Sequence, residues 1–498
     1  MASIKLAIVG AGPSSFYVAS RLLSLLPQSS PHHDAIKIHM YDRLWAPHGL
    51  VRYGVAPDHP EVKNCTNKFD LTATDPRLRF FGNVNITTSA SASPIAHNVS
   101  LPSSSLLHNY THLLFSSGCT IPTLHAALPP SDRCIPALSL VHWYTQHPSV
   151  ANKPPPPLES IEHVSLIGQG NVSLDVARML LTPPSTLEKY DVPSNVLDVL
   201  KRSAVQHVSI IGRRGPLQAA FTTKELREMM NLEDAAMDPL DPTLLIPPAG
   251  EELTRQQKRT VQLLEKGSRN APGTKPKSWS LDFFRSPTHL APAPEDDQSA
   301  ARPLTLTLAH TALSAEKRAV PTGATSSLRT SMVVTSLGHH GEPTPWYDSA
   351  LGHVRTVGGR VVDEHGHTLR NVYASGWAAM GARGVLASTM MDAYAVADTI
   401  LADAFPGEFR KDGNALESVV PQGRVSDAAE PVMAETVGSD EPPVEVQAGL
   451  NEGEVTDYEH WKLVDAEEVK RGVAIGKERE RMGWDEARTF LSQAKGRR

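Results

Sequence analysis

Two stretches of the chain carry the same order of apolar and polar positions. In the first, the apolar run Ile4–Val9 precedes a glycine-containing turn, a segment of helical periodicity to about Leu26, and a second apolar run, Ile36–Tyr41, which ends at Asp42. Short apolar runs bounded by glycine are typical of buried strands, and apolar residues three or four positions apart are typical of a helix face. The pattern therefore predicts a strand–helix–strand unit.

The second stretch repeats this order later in the chain. It predicts a strand at Val164–Ile167, a helix at Val172–Leu181 and a strand at Val208–Ile211. Strands that alternate with helices favour parallel sheets covered by helices. The fold class we expect is therefore α/β, with two Rossmann-like units.

Weaker patterns fill the rest of the chain. Buried strands that end in small residues are predicted within Thr111–Gly118 and Ser331–His340, and a helix is predicted from about Val385 to Ala402. The Ser-rich stretch Ser89–Ser105 is predicted to be a loop. Residues 427–459 contain ten acids and no lysine or arginine, which favours a disordered, solvated linker over a binding tail.

Both units carry a Gly-x-Gly turn between the first strand and the helix. The turns are Gly10–Gly12, followed by Ser15, and Gly168–Gly170, followed by Ser173. The first glycine permits a tight turn, the second lets the backbone approach a phosphate, and a small third residue lets the helix pack on the strand. The helix N-terminus then offers free N–H groups to a pyrophosphate. Both turns predict dinucleotide sites, and the alternative for each is an ordinary strand–helix turn.

The residue after the second strand differs between the two units. In the first unit it is Asp42, whose carboxylate would accept hydrogen bonds from ribose hydroxyls and repel a 2′-phosphate. In the second unit it is the pair Arg213 and Arg214, which suits a 2′-phosphate; the alternative is a pair of solvated surface arginines. We therefore expect FAD or NAD at the first site and NADP at the second, an arrangement suited to hydride transfer from NADPH to a flavin.

Composition and charge agree with a soluble globular enzyme. Of 498 residues, 40% are hydrophobic and 20% are charged, and the net charge of −6 gives no general attraction to nucleic acid. The three cysteines form no CxxC pair, which argues against a disulfide framework, a zinc site and a redox dithiol, and indicates a reducing compartment. No apolar run reaches the roughly 18 residues of a membrane span. The first strand begins at Ile4, so we expect either a cytosolic protein or one whose presequence is missing from this sequence.

Six stretches resemble one known family, the NADPH–adrenodoxin (ferredoxin) reductases of mitochondria and some bacteria. They are GLVRYGVAPDHPEVKN (49–64), GQGNVSLDVARMLLTPP (168–184), GRRGPLQAAFTTKELREM (212–229), DFFRSP (282–287), AVPTG (319–323) and KLVDAEEVKRG (462–472). They cover most of the chain in the family's order. This resemblance is far more specific than a Gly-x-Gly turn alone.

The resemblance implies a fold like that of glutathione reductase, with two dinucleotide-binding, Rossmann-like domains and a discontinuous FAD domain. The expected divisions are 1–118 for the first part of the FAD domain, 119–335 for the NADP domain, 336–420 for the second part of the FAD domain, 421–457 for the acidic linker and 458–498 for a C-terminal segment packed on the FAD domain.

The family's site residues carry over onto matching positions of this chain. Those implied to contact FAD are Gly12, Ser14, Asp42, Leu50, Ile86, Trp377, Gly384, Val385 and Leu386. Those implied to contact NADP are Gly170, Asn171, Val172, Ser173, Arg213, Arg214, Glu225 and Gly384. His59 and Asp175 match a polar pair near the flavin and are the candidate catalytic residues; the alternative for His59 is a structural histidine that holds its loop.

The implied reaction transfers a hydride from NADPH to N5 of FAD and then two single electrons to a small acidic [2Fe–2S] ferredoxin, with no nucleophile and no metal. Arg227, Arg255 and Arg259 match positions that contact the ferredoxin, and Lys258 lies on the same stretch. The resemblance also implies a monomer without a membrane span, on the matrix side of the mitochondrion. A cytosolic location and peripheral membrane association stay open.

Departures from the family's pattern leave two alternatives. Where the family typically reads Gly-Trp-Val-Lys-Arg-Gly-Pro-Thr-Gly, this chain reads GWAAMGARG (376–384), which removes two cations and a proline and adds Arg383. The segment after Cys119 is shorter than usual, and the acidic linker is extra. One alternative is a degenerate NADP-binding flavoprotein. The other is a different NADPH-dependent flavoenzyme, although a disulfide reductase would need a CxxC, and the His- and Trp-bearing signature of a monooxygenase is missing from the sequence.

Overall fold

The structure is a computed structural model that describes residues 4–87, 93, 95–248, 250, 252–293, 303–409 and 432–495. Its two largest sheets are each built around one of the predicted strand–helix–strand units. The α-helices of this part of the chain are Pro13–Leu25, Leu50–Tyr53, Thr66–Ala73, Ser103–Asn109, Ala137–Tyr144, Asn171–Leu181, Pro184–Leu187, Ser194–Lys201, Thr223–Met230, Arg255–Lys266, Trp377–Met380, Leu386–Ala404, Val444–Glu452, Tyr458–Ala474 and Trp484–Lys495.

The first sheet has seven strands and contains the N-terminal unit. Their spatial order is Thr356–Val357, Arg360–Val362, Thr368–Ala374, His112–Phe115, Ile4–Val9, Ile36–Asp42 and Leu78–Gly82. The last five run parallel to one another. Helices Pro13–Leu25 and Leu386–Ala404 cover one face, where they pack against the buried side chains of Ile4, Leu6 and Ile8. The alternate residue Ala7 faces the other core, as the two-residue period of a strand requires.

The second sheet has six strands, all parallel. Their spatial order is Ala235–Met237, Lys277–Asp282, His207–Ile211, His163–Ile167, Met332–Thr335 and Cys134–Pro136. A three-stranded antiparallel sheet, Arg285–Pro292, Leu304–Leu313 and Ala319–Thr330, is inserted in the chain between strands Lys277–Asp282 and Met332–Thr335. The short paired strands are Val84–Thr87 with Val99–Pro102, Tyr347–Asp348 with His353–Val354, and Ile121–Pro122 with His339–His340.

The chain crosses between the two large sheets twice. The outgoing strand Ile121–Pro122 pairs in antiparallel fashion with the returning strand His339–His340, so the two crossings form one connection. We therefore propose that the FAD domain is interrupted at residues 118 and 336 by an inserted NADP domain. None of the helices in the described ranges is both long enough and apolar enough to span a membrane.

The first glycine of each turn lies in the same environment. Gly10 has φ +106°, and an added Cβ would lie 2.5 Å from the carbonyl oxygen of Ser116. Gly168 has φ +127°, and an added Cβ would lie 2.2 Å from the carbonyl oxygen of Ser336. In both units the neighbouring parallel strand ends directly against the turn. A side chain at either glycine would meet backbone atoms that cannot move aside.

Two stretches differ from their sequence expectation. Part of the Ser-rich stretch expected to be a loop is a strand, Val99–Pro102, and the start of a helix, because Leu101 and Leu106 are buried beside the first sheet. Residues 432–457, expected to belong to a disordered linker, contain helix Val444–Glu452, which buries Val446 in the same core. Residues 421–431 of that expected linker lie outside the described residues. In both cases a few apolar side chains outweigh a polar local composition.

The last two helices pack where the sequence predicts helical periodicity. The ring of Trp45, which precedes helix Leu50–Tyr53, lies 6.2 Å from Trp461 and 6.0 Å from Trp484, between centroids. Arg52 and Glu468 form a buried ion pair in the same region, with N–O distances of 2.7 and 3.0 Å. These contacts support the proposal that the C-terminal segment packs on the FAD domain.

The two glycines of the second turn should respond differently to alanine. Gly168→Ala should lower the free energy of unfolding by on the order of 3 kcal/mol, because of the positive φ and the close carbonyl. Gly170→Ala should leave stability nearly unchanged, since an added Cβ there contacts nothing within 4 Å. Thermal denaturation of the two purified variants measures the difference, and equal melting temperatures would contradict this account of the turn.

Candidate active site

A long groove runs along the carboxyl ends of the strands of the seven-stranded sheet, where the first glycine turn lies. It consists of two adjoining cavities of about 1320 and 550 Å³ that share Gly10, Asp42 and Arg43. Residues predicted to hold FAD line it throughout: Gly10, Gly12, Ser14, Asp42, Leu50, Ile86, Trp377, Gly384, Val385 and Leu386. The fold brings these ten residues to one groove, the FAD groove, from both proposed parts of the FAD domain.

The groove has room for a phosphate at the first turn. A Cβ added at Gly12 would contact nothing within 4 Å, so the space above the backbone is open. Helix Pro13–Leu25 begins at this point, and its first turn contains no acid that would oppose an anion. The buried hydroxyl of Ser116, another residue of the groove wall, has no hydrogen-bond partner within the described ranges. These features fit a pyrophosphate at this position.

Asp42 is fixed at the junction of the two cavities. Its carboxylate accepts hydrogen bonds from the backbone N–H groups of Ala11, at 2.6 Å, and Leu44, at 2.8 Å. Burial raises the pKa of this carboxyl, and the two N–H groups oppose the rise. The hydrogen bonds hold the acid beside the glycine turn, where a ribose bound along the groove would meet it.

A hydroxyl–carboxylate chain ties the first turn to the end of the last strand. The hydroxyls of Ser14 and Ser375 lie 2.6 Å apart, and the Ser375 hydroxyl donates to Asp392 at 2.9 Å. Asp392 also accepts from the N–H of Gly376 at 2.6 Å. The N-terminal and C-terminal walls of the groove are thereby held together. The loop that follows is closed by the indole N–H of Trp377, which donates to the carbonyl oxygen of Arg383 at 3.1 Å.

The second glycine turn has the same open geometry. The Ser173 hydroxyl is buried and donates to the carbonyl oxygen of Gly168 at 2.7 Å, which fixes the helix against the strand. The side-chain oxygen of Asn171 accepts from the N–H of Thr222 at 2.8 Å. Val172, predicted to contact NADP, lies on the wall of the FAD groove. The helix that follows the second turn therefore reaches the wall of this groove at Val172.

Arg213 and Arg214 follow the strand His207–Ile211 directly and are both exposed. Neither guanidinium has a hydrogen bond or an ion pair to a side chain in the part of the chain that the structure describes. Gly170 and these arginines thus offer an open turn and two uncommitted cations in one unit. That donor set fits the pyrophosphate and 2′-phosphate of NADP.

The candidate catalytic residues lie at a charged junction between the two sheets. Arg178 donates to Asp58 at 2.6 Å, to Asp175 at 2.7 Å and to Glu225 at 3.0 Å. His59, Asp175 and Glu225 offer ligand-type atoms that all lie within 4.8 Å of one another. The junction lines a separate cavity of about 860 Å³ and not the FAD groove itself. Glu225, expected at the NADP site, is buried in this junction.

The pKa values of two groups at this junction, Glu225 and His59, are raised. Burial and the neighbouring Asp175 raise the pKa of Glu225 to about 7. Burial disfavours the charged form of His59, but its hydrogen bond to Glu228 at 2.6 Å outweighs this effect and the pKa of His59 is raised. His59 and Glu225 can therefore both hold a proton near pH 7, as a group that exchanges protons with a reaction must.

Several residues of the FAD groove were not among the site residues predicted from the sequence. They are Tyr53, Cys119, His142, His147 and His339. The rings of His142 and His147 stack at 3.8 Å, and burial lowers the pKa of His142 to about 3, so it is neutral at physiological pH. The two residues are five positions apart in a segment without a motif, and the sequence alone gave no reason to single them out.

Comparisons with known proteins cover nearly the whole chain. The mitochondrial NADPH:adrenodoxin oxidoreductase of Homo sapiens is 35% identical over 498 residues, which is 96% of this chain and 90% of that protein. The NADPH-ferredoxin reductase FprA of Mycobacterium tuberculosis is 31% identical over 95% of this chain and 96% of its own length. The chain belongs to this family of NADPH:adrenodoxin oxidoreductases. No protein-family model matches the chain.

Membership confirms several expectations from the sequence. A solved structure of Mycobacterium tuberculosis FprA in complex with NADPH superposes with a TM-score of 0.77 and 28% identity, over 98% of this chain and 100% of FprA. The family confirms the two-domain α/β flavoprotein fold, the oxidoreductase class and the cofactor pair FAD and NADP. The contacts assigned to individual site residues stay predictions, and the groove and turn geometries support them.

Coenzyme preference tests the role of Arg213 and Arg214. Replacing both by alanine should reduce the preference for NADPH over NADH in kcat/KM by roughly a hundred-fold, since each charge-assisted hydrogen bond contributes about 1.5–3 kcal/mol. Arg202→Ala, an exposed arginine of the same proposed domain, is the matched control and should change nothing. A double variant that keeps its preference would show that these arginines do not contact the 2′-phosphate.

Protein stability should report the shifted carboxyl of Glu225. Its folded-state pKa of about 7 exceeds the ordinary value of 4.5, so the neutral form adds stability that is complete below pH 4.5 and lost as the pH rises through 7. Without NADP, the wild type should therefore lose about 1–3 kcal/mol relative to Glu225→Gln between pH 5 and pH 8. Melting curves across this range measure it, with the exposed Glu159→Gln as control. Parallel curves for wild type and Glu225→Gln would mean that Glu225 is ionised throughout.

Proposed function

We propose that this protein passes electrons from NADPH, by way of FAD, to a small acidic [2Fe–2S] ferredoxin. The observation that carries the proposal is an exposed row of cations on two packed helices of the NADP domain, in a chain whose relatives are named adrenodoxin and ferredoxin reductases. The two glycine turns serve the first half of this reaction, and the cationic row serves the second.

In the first half, the chain's own residues bind and orient the two nucleotides. The turn at Gly12 and the N-terminus of its helix would hold the FAD pyrophosphate, and Asp42 would hold the ribose. Gly170 with Arg213 and Arg214 would hold NADP. FAD supplies the acceptance of a hydride and the release of single electrons. The chain positions the groups and excludes water, with His59 and Glu225 as proton-holding groups nearby.

The cationic row is formed by Arg227 on helix Thr223–Met230 and by Arg255, Lys258 and Arg259 on helix Arg255–Lys266. All four residues are exposed, and none forms an ion pair with a residue in the described ranges. The spacing of i, i+3 and i+4 places the last three on one helix face. Such a row would steer an acidic partner and set its orientation.

Helix stability explains the position of Arg227, which lies in the last turn of its helix, but not that of Arg255. Helix Arg255–Lys266 begins at Arg255 and has no acid in its first turn, although anions are favoured at a helix N-terminus and cations are not. A capping box compensates: the N–H of Gln257 donates to the Thr254 hydroxyl at 3.2 Å, and the N–H of Thr254 donates to the Gln257 side chain at 2.9 Å. The position of Arg255, where it opposes the helix dipole, favours a binding role.

The proposal extends to the compartment and the assembly. The animal relatives are named as mitochondrial proteins, whereas FprA is a protein of a bacterium. We propose that this chain acts on the matrix side of the mitochondrion, as a monomer. Fractionation of cells that express a tagged full-length chain tests the location, and sedimentation of the purified protein tests the assembly.

Charge reversal tests the docking row. Arg227→Glu with Arg259→Glu should lower ferredoxin-dependent cytochrome c reduction at least about ten-fold at low salt, because like charges then face the partner. Ferricyanide reduction by NADPH, which needs no docking, should barely change. High salt should weaken ferredoxin-dependent activity of the wild type, since the Debye length falls from about 10 Å at 0.1 M to about 3 Å at 1 M.

Arg202→Glu serves as a charge-reversal control away from the two helices. It should leave both activities at the wild-type level. If both activities of the docking variant fall together, its residues serve folding or cofactor binding and the docking assignment is wrong. If NADPH reduces the flavin but ferredoxin accepts no electrons from the wild type, the partner proposed here is wrong.

A further inference from the structure

The loop 477–482, between the last two helices, contacts both proposed domains. Towards the NADP domain, the Glu480 carboxylate accepts from the N–H and the hydroxyl of Ser194, each at 2.9 Å, where helix Ser194–Lys201 begins. Towards the FAD domain, the N–H of Met482 donates at 2.9 Å to Glu468, the buried partner of Arg52. The loop therefore connects the proposed NADP domain to the C-terminal helix that packs on the FAD domain.

Arg481 is the central side chain of this loop and is almost completely buried. It donates to both carboxylate oxygens of Asp191, with 2.7 Å from Nε, and to the carbonyl oxygen of Thr145 at 2.5 Å. Asp191 and Thr145 belong to the proposed NADP domain. Asp191 also accepts from Lys63 of the FAD domain at 3.1 Å. Burial opposes the ionisation of Asp191, but Arg481 and Lys63 outweigh it and lower its pKa.

The same contacts reach the wall of the FAD groove. The guanidinium of Arg481 lies 5.8 Å from the ring centroid of Tyr53, and the Thr145 hydroxyl lies 3.0 Å from the carbonyl oxygen of Tyr53 and 2.6 Å from that of Val141. Tyr53 and Leu50 line the groove, and Arg52 lies between them. One buried cation is thus in contact with the NADP domain on one side and with the flavin site on the other.

We propose that Arg481 and the loop 477–482 are a positioning device for hydride transfer, which fixes the distance and angle between the nicotinamide site and the flavin groove. The inference rests on transfer from NADPH to FAD and is independent of the ferredoxin. Two domains joined by two crossings move relative to one another unless their interface is tied. Hydride transfer needs the reacting atoms about 3–3.5 Å apart, and a 1 Å misplacement costs roughly a hundred-fold in rate.

A buried ion pair is suited to this role. Its desolvation offsets most of its attraction, so it contributes little net stability compared with apolar packing of the same shape. A buried ion pair does require one relative position of its two groups, because both charges lack a partner in any other position. The pair Arg77 and Asp75 offers a comparison: Arg77 is also buried and bonded to a carboxylate at 2.7 Å, but its contacts all lie within the FAD domain.

The experiment compares Arg481→Met with Arg77→Met in the full-length holoenzyme. Anaerobic stopped-flow measures the limiting rate of flavin bleaching by NADPH and the Kd for NADPH, and released FAD is measured by fluorescence. We expect Arg481→Met to retain FAD and to bind NADPH with a Kd near that of the wild type. Its limiting rate should fall at least about ten-fold, and the long-wavelength band from nicotinamide stacked on flavin should weaken. Arg77→Met should lower the melting temperature and leave the rate unchanged.

A limiting rate of wild-type size in Arg481→Met overturns the proposal, as does an equal loss of rate in both variants. Asp191→Asn, which keeps the side-chain volume and removes the charge, replaces Arg481→Met in this experiment if Arg481→Met does not fold. It should also lower the limiting rate of flavin bleaching, and a wild-type rate in Asp191→Asn would overturn the proposal. Failure of ferredoxin reduction alone would contradict the proposed function and leave this inference intact, because flavin bleaching requires only NADPH.

Discussion

The junction between the two sheets depends on one guanidinium, that of Arg178. It lies on helix Asn171–Leu181, eight residues beyond the second glycine turn, and makes a two-point contact with Asp58 of the segment that follows the FAD-groove helix Leu50–Tyr53. Asp175 and Glu225 share the same cation. Removing a buried partner of this kind leaves charges uncompensated at a cost of about 3–5 kcal/mol. These bonds tie the two domains together at a second place, apart from the pair of Arg481 and Asp191.

The charge balance of the junction also explains its titration. Four carboxylates, Asp58, Asp175, Glu225 and Glu228, surround Arg178 within 3.4 Å. One cation cannot compensate four carboxylates, of which Glu225 is buried and the others are partly buried, so the lowest free energy is reached when protons are retained nearby. The raised pKa values of Glu225 and His59 are this compensation. An interface that is tied by charge is thereby also a place where protons are held between the two domains.

The sequence could predict what depends on neighbours along the chain. The predicted strand Ile4–Val9 matches the structure, and the helix predicted at Val172–Leu181 begins one residue earlier there. Gly10, Gly12 and Asp42 line one groove because glycine turns and strand ends have fixed local geometry, whereas the other residues of the predicted FAD site were implied by the family resemblance. What could not be predicted depends on distant partners. The stacked His142 and His147 became groove residues only through the packing of two domains, and helix Val444–Glu452 is held by apolar contacts in a segment whose composition is that of a linker.

The loop after strand Thr368–Ala374 carries fewer charges than the family's pattern at the same positions. The family's pattern has a lysine and an arginine after the tryptophan, and here Ala378–Gly381 carries no charge. Helix Leu386–Ala404 begins at the groove, has no acid in its first turn, and has 19 residues of aligned peptide dipoles. Val385 and Leu386 place its N-terminus at the groove wall. The N-terminus of this helix therefore gives the groove wall a positive potential from the backbone, beside a loop that carries two fewer cations than the family's pattern.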